Sequence, residues 1–203
     1  FHKNMFKNEK GLGFIEMIVA LGVIVTGVIA GLSLTTHNLI SSNSSEDRLV
    51  AANLARESIE VIRNHRDSNW LAGNNWYQGF LSDFDTNYRL ITEFDPSTKS
   101  WSFSDISSVI SLCDSCQVYF DNTSDVFNHD NSGDLTSFKR LVTLQEICWQ
   151  DPIDTEVLLD PGDRCSDHVG VSWIGYHLES EVTWFEADKP YNLSIVDKLY
   201  DWK

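Results

Sequence analysis

The sequence is poor in basic residues: 15 lysines and arginines stand against 30 aspartates and glutamates, which gives a formal net charge of −15 at pH 7. This excess argues against a nucleic-acid-binding protein, because the neutralisation of phosphates needs a basic surface. Cysteine is also scarce, with four residues in a chain of 203. A fold built on disulfides alone is therefore excluded, and an apolar core has to stabilise the protein.

The sequence also lacks the short motifs of common catalytic sites. It contains no G-x-S-x-G, no H-E-x-x-H and no phosphate-binding glycine loop. Its six histidines are scattered along the chain. We therefore expect neither an enzyme nor a bound cofactor.

Charge is almost absent from residues 12–34, which read LGFIEMIVALGVIVTGVIAGLSL and carry one charged side chain, Glu16. As a helix this run extends about 35 Å, enough to cross a hydrocarbon core of about 30 Å. Three lysines precede the run, and the first two charges after it are acidic. The positive-inside rule therefore predicts a single span in the inner membrane, with the N-terminus in the cytoplasm and the rest outside. A plain membrane anchor gives no reason for Glu16, because a carboxylate inside an apolar span is energetically unfavourable.

Residues 10–19, KGLGFIEMIV, resemble the prepilin signature of type IV pilins and type II secretion pseudopilins. In that signature a basic leader ends in glycine and precedes an apolar helix whose fifth residue is glutamate. The resemblance implies that a prepilin peptidase cleaves between Gly11 and Leu12, and that Leu12 is then N-methylated. Glu16 would be the fifth residue of the mature chain and would act in assembly.

The resemblance also implies an α+β fold, in which a long N-terminal helix packs on an antiparallel β-sheet. The resemblance implies four segments: a leader (residues 1–11), a transmembrane or filament-core helix (12–34), an amphipathic half-helix (35–66) and an extracytoplasmic pilin-like β domain (67–203).

The helical pattern itself agrees with this division. Apolar residues recur at steps of three and four from Ala51 to Ile62, and neither proline nor glycine interrupts residues 32–72. We therefore expect one continuous helix from about Leu12 to about His65. Strands are expected at residues 89–94, 100–103, 138–147, 169–185 and 191–200, with the last hairpin turning at residues 188–190.

Residues 52–71 resemble minor pilins of the PilV type. The function implied is that of a structural subunit, a minor one, of a type IV pilus or a type II secretion pseudopilus. Its partners would be other pilin subunits, the prepilin peptidase and the assembly machinery, and it would reach the cell surface in a filament. Gly27 and Gly31 form a G-x-x-x-G pair that suits close helix packing.

An alternative is a single-pass membrane-anchored extracellular binding or adhesion domain. The seven tryptophans could then include a carbohydrate-binding surface, although most are expected in the core. They are Trp70, Trp76, Trp101, Trp149, Trp173, Trp184 and Trp202.

The four cysteines, Cys113, Cys116, Cys148 and Cys165, allow a zinc site, two disulfides or free thiols. The uneven spacing weakens the zinc reading, and an extracytoplasmic location favours disulfides. In the second case Cys148 and Cys165 would join a strand end to the following loop.

An oxygen-rich segment follows the first cysteine pair. Its carboxylates are weak candidates for calcium ligands: Asp121, Asp125, Asp130 and Asp134. An EF-hand is excluded, because alignment on Gly133 places Lys139 where the bidentate glutamate belongs. A solvated polar loop is the default expectation.

Overall fold

The computed structural model describes residues 13–80, 88–131, 133–151 and 153–201. These residues form one α-helix, eight β-strands and two short 3-10 helices. The long elements are α1 (Phe14–Ala72), β1 (Arg89–Asp95), β2 (Ser100–Asp105), β3 (Gln117–Asp121), β4 (Val126–Asn128), β5 (Asp134–Gln150), β6 (Thr155–Leu158), β7 (Val171–Glu186) and β8 (Lys189–Tyr200), and the 3-10 helices are Ile110–Leu112 and Cys165–Asp167. The α+β prediction is confirmed.

Strand β5, with 17 residues, is the centre of a single antiparallel sheet. One of its edges pairs with β7, which pairs in turn with β8. Its other edge pairs successively with β3, β1 and β6. The hairpin predicted for β1 and β2 is confirmed, because the two strands pair in antiparallel register from Leu90 with Asp105 to Asp95 with Ser100.

The chain divides into two compact units between Glu46 and Asp47. In the first unit the described residues are those of α1 up to Glu46 and Gly13 before it. The second unit contains the rest of α1, the sheet and the connecting loops.

The helix ends at Ala72, seven residues beyond the predicted end near His65. Gly73 adopts a φ of 76°, which an L-residue with a side chain rarely takes. Its N–H donates to the Trp70 carbonyl, and the next N–H, that of Asn74, donates to the Asn69 carbonyl. This pair of bonds is a Schellman motif, and it satisfies carbonyls that the helix end would otherwise leave unpaired. The helix therefore ends because Gly73 can adopt the left-handed conformation, and not where the apolar stripe stops.

The later part of α1 packs its apolar stripe on one face of the sheet. One core cluster joins Ile59 and Ile62 to Val142, Leu144 and Leu178 on β5 and β7. A second cluster joins earlier residues of the helix to the other end of the same face and contains Ala51, Leu54, Ala55, Val118, Phe138, Val182 and Trp184. The predicted amphipathic helix therefore forms the main core with the sheet.

The opposite face of β5 has its own small core. Leu141, one position from Val142, points to this other face because successive strand residues alternate. It packs with Ile91, Ile106, Ile110 and the first two cysteines. The loop between β2 and β3 thus covers part of the face that α1 does not.

The last hairpin turns one residue earlier than expected. Ala187 and Asp188 take φ values of 46° and 64°, and Lys189 already pairs with Glu186 in the ladder. Two central residues of positive φ form a type I′ turn, whose twist matches that of the strands. Pro190 belongs to the strand and pairs with Phe185, a position at which its missing N–H faces the outer edge.

Candidate functional site: the N-terminal helix and its anchorage

The first part of α1 is apolar on every side. All large apolar side chains from Phe14 to Ile40 are exposed, by between 52% and 80%. A helix of this kind is stable when a membrane or other helices surround it. Within the described ranges α1 is the one helix long and apolar enough to cross a membrane. The chain therefore contains a candidate membrane-spanning helix near its N-terminus.

Glu16 lies in the first turn of this helix. Its backbone N–H donates to the Gly13 carbonyl over 2.9 Å. No further charged residue follows until Glu46. The positive end of the helix dipole favours a carboxylate at this position. The predicted cleavage and methylation positions, Gly11 and Leu12, lie outside the described residues.

The predicted packing pair, Gly27 and Gly31, lies one turn apart on α1. A Cβ atom added at either glycine would meet nothing within 4 Å. Both backbone surfaces are therefore open to a neighbouring helix. The hydroxyl of Thr35 donates to the Gly31 carbonyl over 2.9 Å. Such bonds satisfy hydroxyl groups inside the helix and suit an apolar environment.

Arg140 on β5 anchors the later part of α1 to the sheet. Its side chain is 1% exposed, and its Nη1 lies 2.5 Å from Oε2 of Glu57 on the helix. Its Nη2 donates to the Thr92 carbonyl over 2.7 Å. The Thr92 hydroxyl in turn lies 2.9 Å from the Ser58 hydroxyl of α1. These polar contacts, in which Arg140 is buried and Glu57 stays partly exposed, fix the helix against β1 and β5.

Sequence reasoning missed Arg140. A signal was present, because Phe138, Arg140 and Val142 occupy alternate positions of a strand and therefore share a face. A charge in the register of two apolar residues indicates a buried ionic partner on the element that covers that face.

His129 is buried close to the same arginine. Its Nδ1 lies 3.0 Å from the Gln117 carbonyl. Burial, and secondarily the charge of Arg140, lowers the pKa of His129 from 6.5 to about 3. The imidazole is therefore neutral in the folded protein at ordinary pH.

Both cysteine pairs form disulfides. One joins Cys113 to Cys116, and the other joins Cys148 on β5 to Cys165 in the second 3-10 helix. Glu146 lies beside the second disulfide, and its Oε2 accepts the Cys165 N–H over 2.7 Å. Among the described residues these three form the one group with metal-ligand spacing. Two of its three members, the cysteines, are bonded to each other in the disulfide.

The weak calcium candidates do not belong to that group. Asp121 accepts hydrogen bonds from the Thr123 N–H and the Ser124 hydroxyl in the β3–β4 turn. These bonds, the hydroxyl first, lower the pKa of Asp121. Asp134 accepts from the Asn122 side chain over 2.6 Å. The other two candidates, Asp125 and Asp130, are exposed.

The tryptophans divide between core and surface. Trp76 and Trp184 are buried. Four more are half-buried: Trp70, Trp101, Trp149 and Trp173. Trp202 lies outside the described residues. Several large aromatic rings are therefore partly accessible on the second unit.

Comparison with known proteins gives no family. No family model, curated protein or solved structure matches this chain. The sequence pattern and the architecture described above therefore carry the functional argument.

Proposed function

We propose that this protein is a minor structural subunit of a type IV pilus or a type II secretion pseudopilus, and not an enzyme. One observation carries the proposal. A prepilin-like segment, residues 10–19, leads into a helix of 59 residues that is apolar on every side at first and later packs on an antiparallel sheet. A structural subunit of this kind needs a helix that is stable first in the lipid bilayer and then packed against the helices of neighbouring subunits. It also needs a folded domain after that helix.

The proposed partners follow from the same helix. A prepilin peptidase would remove residues 1–11 while the helix is in the inner membrane, and the assembly machinery would then pack it among other pilin subunits. The open backbone at Gly27 and Gly31 supports close helix contact.

Glu16 would direct assembly by charge pairing. Cleavage before Leu12 creates a cationic α-amine four residues from this carboxylate. In a filament core either charge alone would cost several kcal/mol, at least about 3. Pairing of Glu16 of one subunit with the Leu12 amine of the next offsets that cost and sets the axial register.

Intact-mass and N-terminal analysis of the membrane fraction tests processing. We expect Leu12 as the first residue, with or without one methyl group. Loss of the leader leaves 12 basic and 29 acidic residues, and therefore a net charge of −17. A Gly11→Val variant should remain uncleaved, whereas Gly13→Ala, at an open position, should be cleaved normally.

The second candidate is an anchored extracellular binding domain, which the partly accessible aromatic rings favour. Such a protein keeps its anchor and needs no peptidase. Mature protein that still carries Lys10 would contradict the filament proposal and support this one.

A further inference from the structure

A small pocket lies at the end of the sheet beyond the C-terminus of α1. It has a volume of about 160 Å³ and is lined by Tyr77, Glu146, Arg164, Ser166, Trp173 and Tyr176. Four segments contribute: the loop after α1, the paired strands β5 and β7, and the second 3-10 helix with the residue before it. The Cys148–Cys165 disulfide ties that helix to β5. The wall that carries Arg164 and Ser166 is therefore held in place covalently.

Trp173 forms a rigid aromatic wall of the pocket. Its indole N–H donates to the Gly175 carbonyl over 2.8 Å. The ring stacks on buried Trp76 with centroids 5.4 Å apart and an interplanar angle of 5°. Tyr77 stands perpendicular to it at 5.1 Å and is 39% exposed. These contacts fix a half-buried ring before any ligand arrives, which lowers the entropic cost of binding.

Glu146 supplies a buried acceptor in the same pocket. The residue is 5% exposed, and its Oε2 is occupied by the Cys165 N–H. Its Oε1 lies 3.7 Å from Nε of Arg164, which is an ion pair beyond hydrogen-bond distance. The burial and charge of the pocket raise the pKa of Tyr176, chiefly through burial and then through Glu146. Its phenol therefore stays protonated and can act as a donor.

The charge balance of the pocket selects the class of ligand. The charges of Glu146 and Arg164 cancel. A cation in the pocket would be repelled by the guanidinium, and an anion would be repelled by the carboxylate. A zwitterion would have to draw Arg164 away from Glu146, and the buried carboxylate would then lose its counter-charge, which is costly. A neutral ligand with adjacent hydroxyl groups, in contrast, can donate to Glu146 and accept from Arg164 without disturbing either charge.

We propose that this pocket binds a single pyranose ring, of a hexose or an N-acetylhexosamine. The apolar C–H face of the ring would lie on Trp173, and neighbouring hydroxyls would bond to Glu146, Arg164 and Ser166. A few polar groups beside an aromatic surface are the usual composition of a small-molecule site. The volume of about 160 Å³ is small for a ligand site, so the pocket would take one ring and leave an N-acetyl group or a longer chain outside. The inference does not rest on the filament proposal, because the binding groups all lie in the second unit.

Saturation-transfer NMR on the full-length protein tests the proposal. The detergent must have a polyoxyethylene headgroup, because maltoside and glucoside detergents would compete. The probes are the methyl α-D-glycopyranosides of glucose, galactose and mannose, together with free glucose and N-acetylglucosamine. We expect at least one to saturate with a dissociation constant of the order of 1 mM to 10 mM, typical of a small neutral ligand. A methyl glycoside represents a glycan-linked residue, so its affinity relative to the free sugar distinguishes the two sources.

Matched variants connect binding to the pocket. Trp173→Ala should weaken the binding about tenfold or more, whereas Trp101→Ala should leave it unchanged. Trp101 is also half-buried but lines a different groove, between α1 and β2. Arg164→Lys and Tyr77→Ala change more accessible side chains, so they test the site if Trp173→Ala fails to fold.

The outcomes are distinct. Absence of saturation up to about 100 mM for every sugar, well above the expected constant, would overturn the inference. Binding that is insensitive to Trp173, Arg164 and Tyr77 would do the same, as would preferential binding of free leucine or of glycine betaine. Processing at Gly11 is measured separately, so failure of either proposal leaves the other standing.

Discussion

The guanidinium of Arg140 on β5 and the carboxylate of Glu57 on α1 form an ion pair that joins the sheet to the helix, with Nη1 2.5 Å from Oε2. The two residues are 83 positions apart in the chain. Arg140 is almost fully buried, whereas Glu57 retains 34% of its side-chain exposure. Burial lowers the pKa of Arg140, and the adjacent carboxylate opposes that shift.

Loss of the carboxylate should destabilise the protein. In Glu57→Gln the buried guanidinium keeps its bond to the Thr92 carbonyl and a longer one, 3.4 Å, to the Leu54 carbonyl, but it loses its counter-charge. We expect the free energy of unfolding to fall by about 1–3 kcal/mol, less than for a fully buried pair because Glu57 is partly solvated. Urea unfolding of the full chain in detergent, followed by tryptophan fluorescence, measures the change. Glu60→Gln removes an exposed partner of Arg63 and should cost less than about 1 kcal/mol. Equal losses of unfolding free energy in the two variants would show that the Arg140–Glu57 pair stabilises the protein no more than an exposed pair does.

His129 should make the protein sensitive to mild acid. Its pKa is about 3 in the folded protein, against 6.5 for an unperturbed imidazole. Between these values the unfolded chain binds the extra proton, so stability present above pH 6.5 is lost as the pH falls. We expect this histidine to remove about 2 kcal/mol of the free energy of unfolding between pH 7.5 and pH 5.

Variants isolate that contribution. His129→Asn, in which an amide takes the place of Nδ1, should reduce the difference in unfolding free energy between the two pH values by about 2 kcal/mol. His168→Gln, at an exposed position, should retain the wild-type difference. The histidine mechanism is wrong if His129→Asn retains it too.

The disulfides should protect all four thiols. Alkylation of the native protein without reductant is expected to label none of the cysteines. Removal of the Cys148–Cys165 bridge by a double serine substitution should cost about 3 kcal/mol, and removal of the Cys113–Cys116 bridge about 2 kcal/mol, since the first closes the longer loop. Chemical denaturation of both variants checks the order. Stoichiometric zinc in the purified native protein would contradict the disulfide assignment.

Removal of Glu16 tests the assembly mechanism. We expect Glu16→Ala to be inserted and cleaved normally but to be poorly recruited into sheared filaments, because the Leu12 amine of the neighbouring subunit loses its partner. Glu46→Ala also removes one carboxylate from α1, outside the apolar run, and serves as the control. Recruitment is measured by immunoblotting of filament and membrane fractions. If Glu16→Ala entered filaments at the wild-type level, charge pairing would not drive assembly.

The apolar run, the helical periodicity and the pilin resemblance together predicted the helix, and alternation predicted most of the long strands. The stripe from Ala51 to Ile62 is helical and buried as expected, because steps of three and four leave one face for the sheet. The same reasoning placed the end of α1 too early. Trp70 contacts the Arg66 guanidinium at 4.8 Å, and the last turn is retained until Gly73. Such contacts are local geometry that the apolar pattern does not encode.

The pocket at the end of the sheet could not be predicted in the same way. Glu146 and Trp173 are far apart in sequence, and they meet because β5 and β7 pair in a register that shifts after Ile147. A shift of one residue changes which side chains share a face. Pairing of distant strands therefore had to be known before the aromatic wall and the buried carboxylate could be assigned to one site.

Both disulfides connect segments that follow β2, and neither includes a residue of α1. The contact between Asp47–Ala72 of the helix and the sheet is consequently noncovalent. A pulling force on the helix would be resisted by apolar packing and by the Arg140–Glu57 pair, with no bond that must be reduced before the helix can separate. Detachment under load would therefore break no covalent bond, and the strands, which pair with one another rather than with α1, could keep their pairing to receive the helix again.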